Sequence, residues 1–129
     1  MVAHIRKNIV IAVDAMGGDF APEEIVKGSL EGARRSGVDI LLVGDEDVVL
    51  KVLNPQNTDG VNVRVVPSFG KVQEGENPIQ ALRTRPKSSI STCVGLLKQN
   101  KADAMVTMGS TGAAMASATL GLGLLGSLD

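Results

Sequence analysis

The stretch IVIAVDAMGGDFAP, residues 9–22, decides the fold predicted for this chain. It begins with five apolar residues, as a strand buried in a sheet does. It ends at Pro22, and proline favours the first turn of a helix. Glycine lets the backbone turn sharply and approach a ligand closely, and a helix start presents unpaired N–H groups. The stretch therefore predicts a substrate-binding turn at the edge of a sheet, built around Asp14, Gly17 and Gly18.

Two carboxylates, Asp14 and Asp19, flank this turn, and two interpretations of them are open. They can orient a cation, although two carboxylates alone do not define a metal site. Alternatively, an aspartate at the end of a strand only hydrogen-bonds the turn that follows it. No metal site is predicted from this pair.

Short apolar runs alternate with helix-length segments along the chain. This alternation predicts right-handed crossovers and a mostly parallel sheet with helices on both faces, a three-layer α/β/α fold. Ligands of such sheets bind at the carboxyl ends of the strands. The predicted strands are 8–14, 39–43, 61–66 and 103–107, and the predicted helices are 22–36, 46–53, 77–83, 88–100 and 110–125.

The composition excludes several classes of protein. The 129 residues fit one ordinary domain, and 43% apolar with 21% charged residues is the balance of a soluble globular protein. A net charge of −1 and only two aromatic residues, Phe20 and Phe69, argue against a nucleic-acid binder. The single cysteine, Cys93, favours a reducing cytoplasm, and the polar start of the chain predicts no signal peptide.

The segment 104–128 carries no charge and is long enough to cross a bilayer. Small residues fill much of it, however, and the loop-like run 109–112 interrupts it. We therefore expect a strand, a turn and a buried helix in this segment rather than a transmembrane span.

The run Gly109-Ser110-Thr111-Gly112 lies between a predicted strand and a predicted helix. Successive N–H groups in a tight turn, two hydroxyls and a helix start together suit a phosphate or a developing oxyanion. Alternatively, Ser110 only caps the helix and the two glycines only make the turn. We predict phosphate binding by Gly109, Ser110, Thr111 and Gly112, with Ser88 and Ser89 at another helix start as further donors.

Residues 77–102 contain five basic side chains and no acidic one. Most charge runs are solvated faces, but a basic strip can also dock an acidic partner. Arg83, Arg85 and Lys87 lie closest to the helix start at Ser88, so we predict that these three contact a partner.

No side chain is predicted to act as a nucleophile. Cys93 lies in a predicted apolar helix, and the only histidine, His4, lies in the N-terminal tail. A Cys–His or Ser–His arrangement therefore has little support. The catalytic residues stay unassigned.

Together these segments resemble the PlsX family, the phosphate acyltransferases of bacterial phospholipid synthesis. The resemblance runs from about Asn8 to the last residue. It rests on Ile11-Ala-Val-Asp14-Ala-Met-Gly-Gly-Asp19 with Ala21-Pro22, on Val43-Gly44-Asp45, on Arg83 with Ser88-Ser89, and on Gly109-x-Thr111-Gly112-Ala113.

This resemblance implies transfer of a fatty acyl group from acyl carrier protein to inorganic phosphate, without a metal or redox cofactor. The product, an acyl phosphate, supplies the glycerol-3-phosphate acyltransferase. Members of the family are homodimeric, cytoplasmic and peripherally associated with the membrane, and their fold is like that of phosphotransacetylase and the isocitrate/isopropylmalate dehydrogenases. Because acyl carrier protein is acidic, it is the partner expected for Arg83, Arg85 and Lys87.

The chain also departs from the family pattern. Phe20 stands where a histidine is common, the basic run before Ser88-Ser89 keeps only part of its charge, and Ser110 replaces an asparagine. Family chains are more than twice as long, so we expect residues 1–129 to be the N-terminal part of a single domain. Two alternatives remain: a carrier-protein-binding module without activity, and a phosphotransacetylase-like or NAD-dependent enzyme.

Overall fold

A computed structural model of the chain describes residues 8–70, 77, 80 and 83–109. Within this part, four parallel strands form one sheet in the order β3-β2-β1-β4. The strands are β1 (Val10–Asp14), β2 (Asp39–Gly44), β3 (Val63–Pro67) and β4 (Ala104–Val106), and the helices are α1 (Glu23–Ser36), α2 (Glu46–Leu53) and α3 (Ser89–Lys98).

The helices cover both faces of the sheet, which confirms the predicted three-layer α/β/α fold. Alternate residues of each strand point to opposite faces. On one face, Val13 and Leu42 pack with buried residues of α1 and α2. On the other face, Ala12 and Val43 pack with Cys93 and Leu96 of α3. The two central strands, β1 and β2, are therefore apolar on both sides, which explains their continuous apolar runs in the sequence.

Helix α1 shows how local sequence sets an element. Glutamates occupy its first turn and arginines its last turn, the arrangement that suits the helix dipole. Gly37 ends the helix in the left-handed conformation, with φ of 75°. The helix begins at Glu23, one residue later than predicted, because Pro22 precedes it as the N-cap.

All four predicted strands are present in the described part of the chain, but their ends differ by one or two residues: β2 and β3 each end one residue later than predicted, at Gly44 and Pro67. Strand β3 begins at Val63 rather than at residue 61, because Val63 pairs with Ile40 near the start of β2. Likewise, β4 excludes Asp103 and Thr107, whose side chains bond Val10 N and Asp14 instead. Strand β1 begins at Val10 rather than at residue 8.

The predicted helix 46–53 is confirmed as α2, whereas the other predicted helices differ at their ends or are described only in part. Helix α3 begins at Ser89 with Ser88 as its N-cap and ends at Lys98, two residues before the predicted end. In the predicted helix 77–83, Asn77 is not helical and its side chain accepts from the amide of Gln80 at 3.0 Å, whereas Gln80 and Arg83 are helical, as is Thr84 just beyond the predicted end. The predicted final helix, 110–125, lies outside the described residues.

Candidate functional site

The carboxyl ends of all four strands meet at one edge of the sheet. Register pairs Asp14 with Val43, Gly44 with Pro67, and Val13 with Val106. The loops that follow the strands therefore lie side by side at this edge, as predicted. Among them are the loops that begin at Ala15, Asp45, Ser68 and Thr107.

Asp14 is buried at this edge, with 1% of its surface exposed, and both of its carboxylate oxygens accept hydrogen bonds. Oδ1 accepts from the amide of Met16 at 3.0 Å, and Oδ2 accepts from the hydroxyl of Thr107 at 2.9 Å. Thr107 Oγ1 in turn accepts from the amide of Gly109 at 3.1 Å. Asp14 thus hydrogen-bonds the turn that follows it and also fixes the loop after β4, whereas Asp19 is exposed.

The glycines of the first motif let these two loops touch. A Cβ built on Gly17 would lie 2.7 Å from Asp14 Oδ2 and 2.8 Å from Gly109 N, closer than real Cβ atoms come. Gly18 has φ of 99° and lies against Met108. We call the group Asp14, Gly17, Thr107 and Gly109 the β1–β4 corner.

The predicted phosphate cradle begins inside this corner. Because the Gly109 amide already donates to Thr107, it is not available to a ligand in this arrangement. The other predicted cradle residues, Ser110, Thr111 and Gly112, lie outside the described residues. Thr107 is not among the site residues predicted from the sequence. The only feature of the sequence that could have indicated its role is a hydroxyl side chain at the end of a predicted strand.

The predicted Ser88 and Ser89 lie at the start of α3, on the same edge. Ser88 is fully buried, and its hydroxyl accepts from the amide of Ser91 at 3.3 Å, so Ser88 is the N-cap of α3. The hydroxyl of Ser89, a residue with 1% exposure, has no hydrogen-bond partner in the described part of the chain.

The loop after β3 packs directly on the start of α3. The amide of Phe69 donates to Lys87 O at 2.7 Å, and the amide of Ser89 donates to Gly70 O at 3.2 Å. Ser68 is 3% exposed, and its hydroxyl likewise has no partner among the residues described. Ser68 is not among the site residues predicted from the sequence. We call the group Ser68, Gly70, Ser88 and Ser89 the β3–α3 corner.

Two basic residues, Arg85 and Lys87, border the β3–α3 corner. Arg83, Arg85 and Lys87 precede α3, and a Cβ built on Gly70 would lie 3.6 Å from Arg85 Cδ. Lys98 is at the other end of α3, about 15 Å away along the helix. Of the five basic residues, the three predicted to contact a partner are therefore those at the ligand edge.

Cys93 lies beneath this edge, fully buried on the sheet-facing side of α3. Burial raises the pKa of its thiol, and the negative charge of Asp14 raises it further. The thiol packs in the apolar layer between α3 and the sheet, and a raised pKa is the opposite of what nucleophilic cysteines show.

Neither a cluster of metal-ligating side chains nor a membrane-spanning helix is present in the described residues. No three His, Cys, Asp or Glu side chains there lie close enough together to hold a metal ion. Nor is any helix in those residues both long and apolar enough to cross a membrane.

Comparison with known proteins shows which family the chain belongs to. A family model described as "Fatty acid synthesis protein" matches residues 9–129. Proteins named "Phosphate acyltransferase" from Acaryochloris marina and Nostoc punctiforme are each 47% identical over 119 residues, and one from Synechocystis is 44% identical. These matches cover 92% of this chain and 34–35% of the relatives, so the chain spans about a third of their length. The chain therefore belongs to the fatty acid synthesis protein family, and the predicted resemblance to the PlsX phosphate acyltransferases is confirmed.

Proposed function

We propose that this chain is the N-terminal part of an enzyme that transfers a fatty acyl group from acyl carrier protein to inorganic phosphate. The observation that carries the proposal is the 47% identity, over 92% of this chain, to proteins named phosphate acyltransferase. Acyl phosphate made in this way would feed the glycerol-3-phosphate acyltransferase. We further propose a homodimer in the cytoplasm that associates peripherally with the membrane.

The reaction joins a phosphate oxygen to the thioester carbonyl carbon. As the C–O bond forms, a tetrahedral oxyanion develops. When it collapses, the C–S bond breaks, and the leaving carrier sulfur takes up the proton that phosphate loses, which gives the free thiol. The protein must hold phosphate and thioester in contact and supply donors to the oxyanion. A sheet edge with glycine turns and a helix start offers such donors, which supports this site for the chemistry.

Basic residues beside the same edge support the choice of acyl donor. Arg83, Arg85 and Lys87 place positive charge next to the start of α3. An acidic carrier protein attracted there would bring its thioester to the sheet edge, since complementary charge speeds and orients association. We assign the carrier-protein contact to these three residues.

Acyl transfer is tested with this chain alone and with a chimera in which it replaces the matching third of the Acaryochloris marina relative. Each is incubated with acyl-[acyl carrier protein] and inorganic phosphate, while free carrier thiol and acyl phosphate, trapped as the hydroxamate, are measured. We expect the chimera to release thiol in proportion to acyl phosphate, and only when phosphate is present. The unaltered relative is the positive control.

A chimera that folds, by circular dichroism, but releases no thiol in a phosphate-dependent way would contradict the proposed reaction. Salt-sensitive carrier binding without turnover would favour the binding-module alternative. A rise in melting temperature with coenzyme A or NAD, but not with phosphate, would favour the third alternative.

A further inference from the structure

Two buried hydroxyls at the ligand edge lack a partner within the described residues, those of Ser68 and Ser89. Burying a hydroxyl without a hydrogen bond is unfavourable, and native structures contain few such groups. Both lie in the β3–α3 corner, whereas the carboxylate oxygens of Asp14 in the β1–β4 corner are both bonded. Both hydroxyls lie at the edge where ligands of such sheets bind. A ligand bound there can accept the hydrogen bonds that the two hydroxyls do not make within the protein.

The fold directs both side chains into the same layer. The Ser68 amide continues the sheet ladder by donating to Gly44 O at 2.8 Å, so Ser68 keeps the alternation of β3 and lies on the same face as Val66, which packs toward α3. Ser89 precedes Cys93 by four residues and therefore lies on the sheet-facing side of α3, one turn nearer its start. Both hydroxyls thus lie between the sheet edge and the first turn of α3.

The surroundings of this layer favour an anion. The N-terminus of α3 carries partial positive charge, and the stem of Arg85 packs beside Gly70 in the same corner. The β1–β4 corner is less suited to an anion, because it contains the Asp14 carboxylate and its Gly109 amide is already engaged. Hydroxyl donors at a helix start beside a cation match the chemistry of inorganic phosphate.

We propose that Ser68 and Ser89 together bind the phosphate acceptor at the start of α3. This assignment rests on the proposed function and adds to it a binding residue, Ser68, that the sequence motifs do not indicate. Ser88 has a separate task, because its hydroxyl caps α3 through Ser91.

The binding test uses the 129-residue chain and inorganic phosphate, with chloride added to keep the ionic strength constant. Phosphate should raise the melting temperature of the wild type. Ser68→Ala and Ser89→Ala should each weaken phosphate binding about tenfold, because each removes a hydrogen bond to a charged group. Without phosphate, their melting temperatures should equal or exceed that of the wild type, since each loses a hydroxyl that had no partner.

Two matched serines serve as controls. Ser36→Ala, at an exposed position of α1, should change neither melting temperature nor phosphate binding. Ser29→Ala, at a half-buried position in the middle of α1, should likewise keep the phosphate-induced rise in melting temperature. Ser68→Cys and Ser89→Cys preserve side-chain size but donate weakly, and should reproduce the loss of binding if an alanine variant fails to fold.

A wild type that does not respond to phosphate, or alanine variants that respond as the wild type does, would overturn the site. The chimera separates this inference from the proposed function. Phosphate-dependent thiol release with an unchanged KM for phosphate in both alanine variants would overturn the site alone. If phosphate binding requires both serines but a folded chimera releases no thiol, the phosphate site stands and only the proposed acyl transfer is overturned.

Discussion

The β1–β4 corner and the β3–α3 corner lie at the same sheet edge but differ in how their polar groups are satisfied. In the first, Asp14 bonds Met16 and Thr107, and Thr107 bonds Gly109. In the second, Ser68 and Ser89 are equally buried, but their hydroxyls have no partner in the described residues. The motif that contains Asp14 and Gly17 therefore holds the loops of this edge together. The hydroxyls of Ser68 and Ser89, by contrast, have hydrogen-bonding capacity that a ligand can use.

The difference also explains why the most recognisable motif of the sequence is not where the anion is expected. A buried carboxylate that accepts two hydrogen bonds stabilises the loops around it, and removing it leaves both donors unpaired. A buried hydroxyl without a partner does the opposite: it costs stability until a ligand bonds it. Substitutions in the β1–β4 corner should therefore lower the free energy of unfolding, whereas Ser68→Ala and Ser89→Ala should leave it unchanged or raise it in the absence of phosphate.

Asp14→Ala should cause the largest loss of stability. It leaves the Met16 amide and the Thr107 hydroxyl without their acceptor and should lower the free energy of unfolding by about 3 kcal/mol. Urea denaturation followed by circular dichroism measures it. Asp14→Asn keeps one acceptor oxygen and should cost less; a negligible loss in Asp14→Ala would break the comparison, because the first corner would then not depend on its carboxylate.

Gly17→Ala should cause the next largest loss, and should lower the free energy of unfolding by about 2 kcal/mol, a cost typical of overpacking. Its Cβ would lie 2.8 Å from Gly109 N, so the loops after β1 and β4 must separate. Gly28→Ala is the matched control: it has open space around its Cβ position in the middle of α1. This control should stabilise the protein by about 0.5–1 kcal/mol, because alanine favours helix. Equal changes in the two variants would show that the loops are not in contact.

Titration of Cys93 probes the layer beneath both corners. Burial and the charge of Asp14 raise the pKa of its thiol in the folded protein, so the unfolded chain loses this proton first as pH rises. Stability should therefore be constant below about pH 8.5 and fall above it by about 1.4 kcal/mol per pH unit.

Urea denaturation from pH 7 to 10, with Cys93→Ala as reference, isolates this contribution from that of the lysines. The wild type should lose more stability than the variant over this range. Parallel curves would contradict the burial of Cys93 against α3 and the sheet.

Local patterns predicted much of this structure. The alternation of apolar runs and helices predicted the three layers, and Pro22 and Ser88 predicted the starts of α1 and α3 to within one residue. Thr107 and Ser68 could not be found in this way. Thr107 bonds Asp14 across 93 residues, so its role depends on the register between β1 and β4. Ser68 is buried only because α3 returns over the sheet and meets the loop after β3.

The smallest effect is expected for Lys87→Glu, which tests whether the charge around the β3–α3 corner recruits a partner. Lys87 is exposed, so its reversal should weaken binding of acyl carrier protein by only about threefold at low salt. Lys101→Glu makes the same charge change beyond the far end of α3, and should leave affinity nearly unchanged. Calorimetry at two salt concentrations measures both variants, and the difference between them should shrink as salt rises. If both weaken binding equally, overall charge attracts the carrier; if only Lys87→Glu does, the carrier binds at the corner that holds Ser68 and Ser89, and delivers its thioester there.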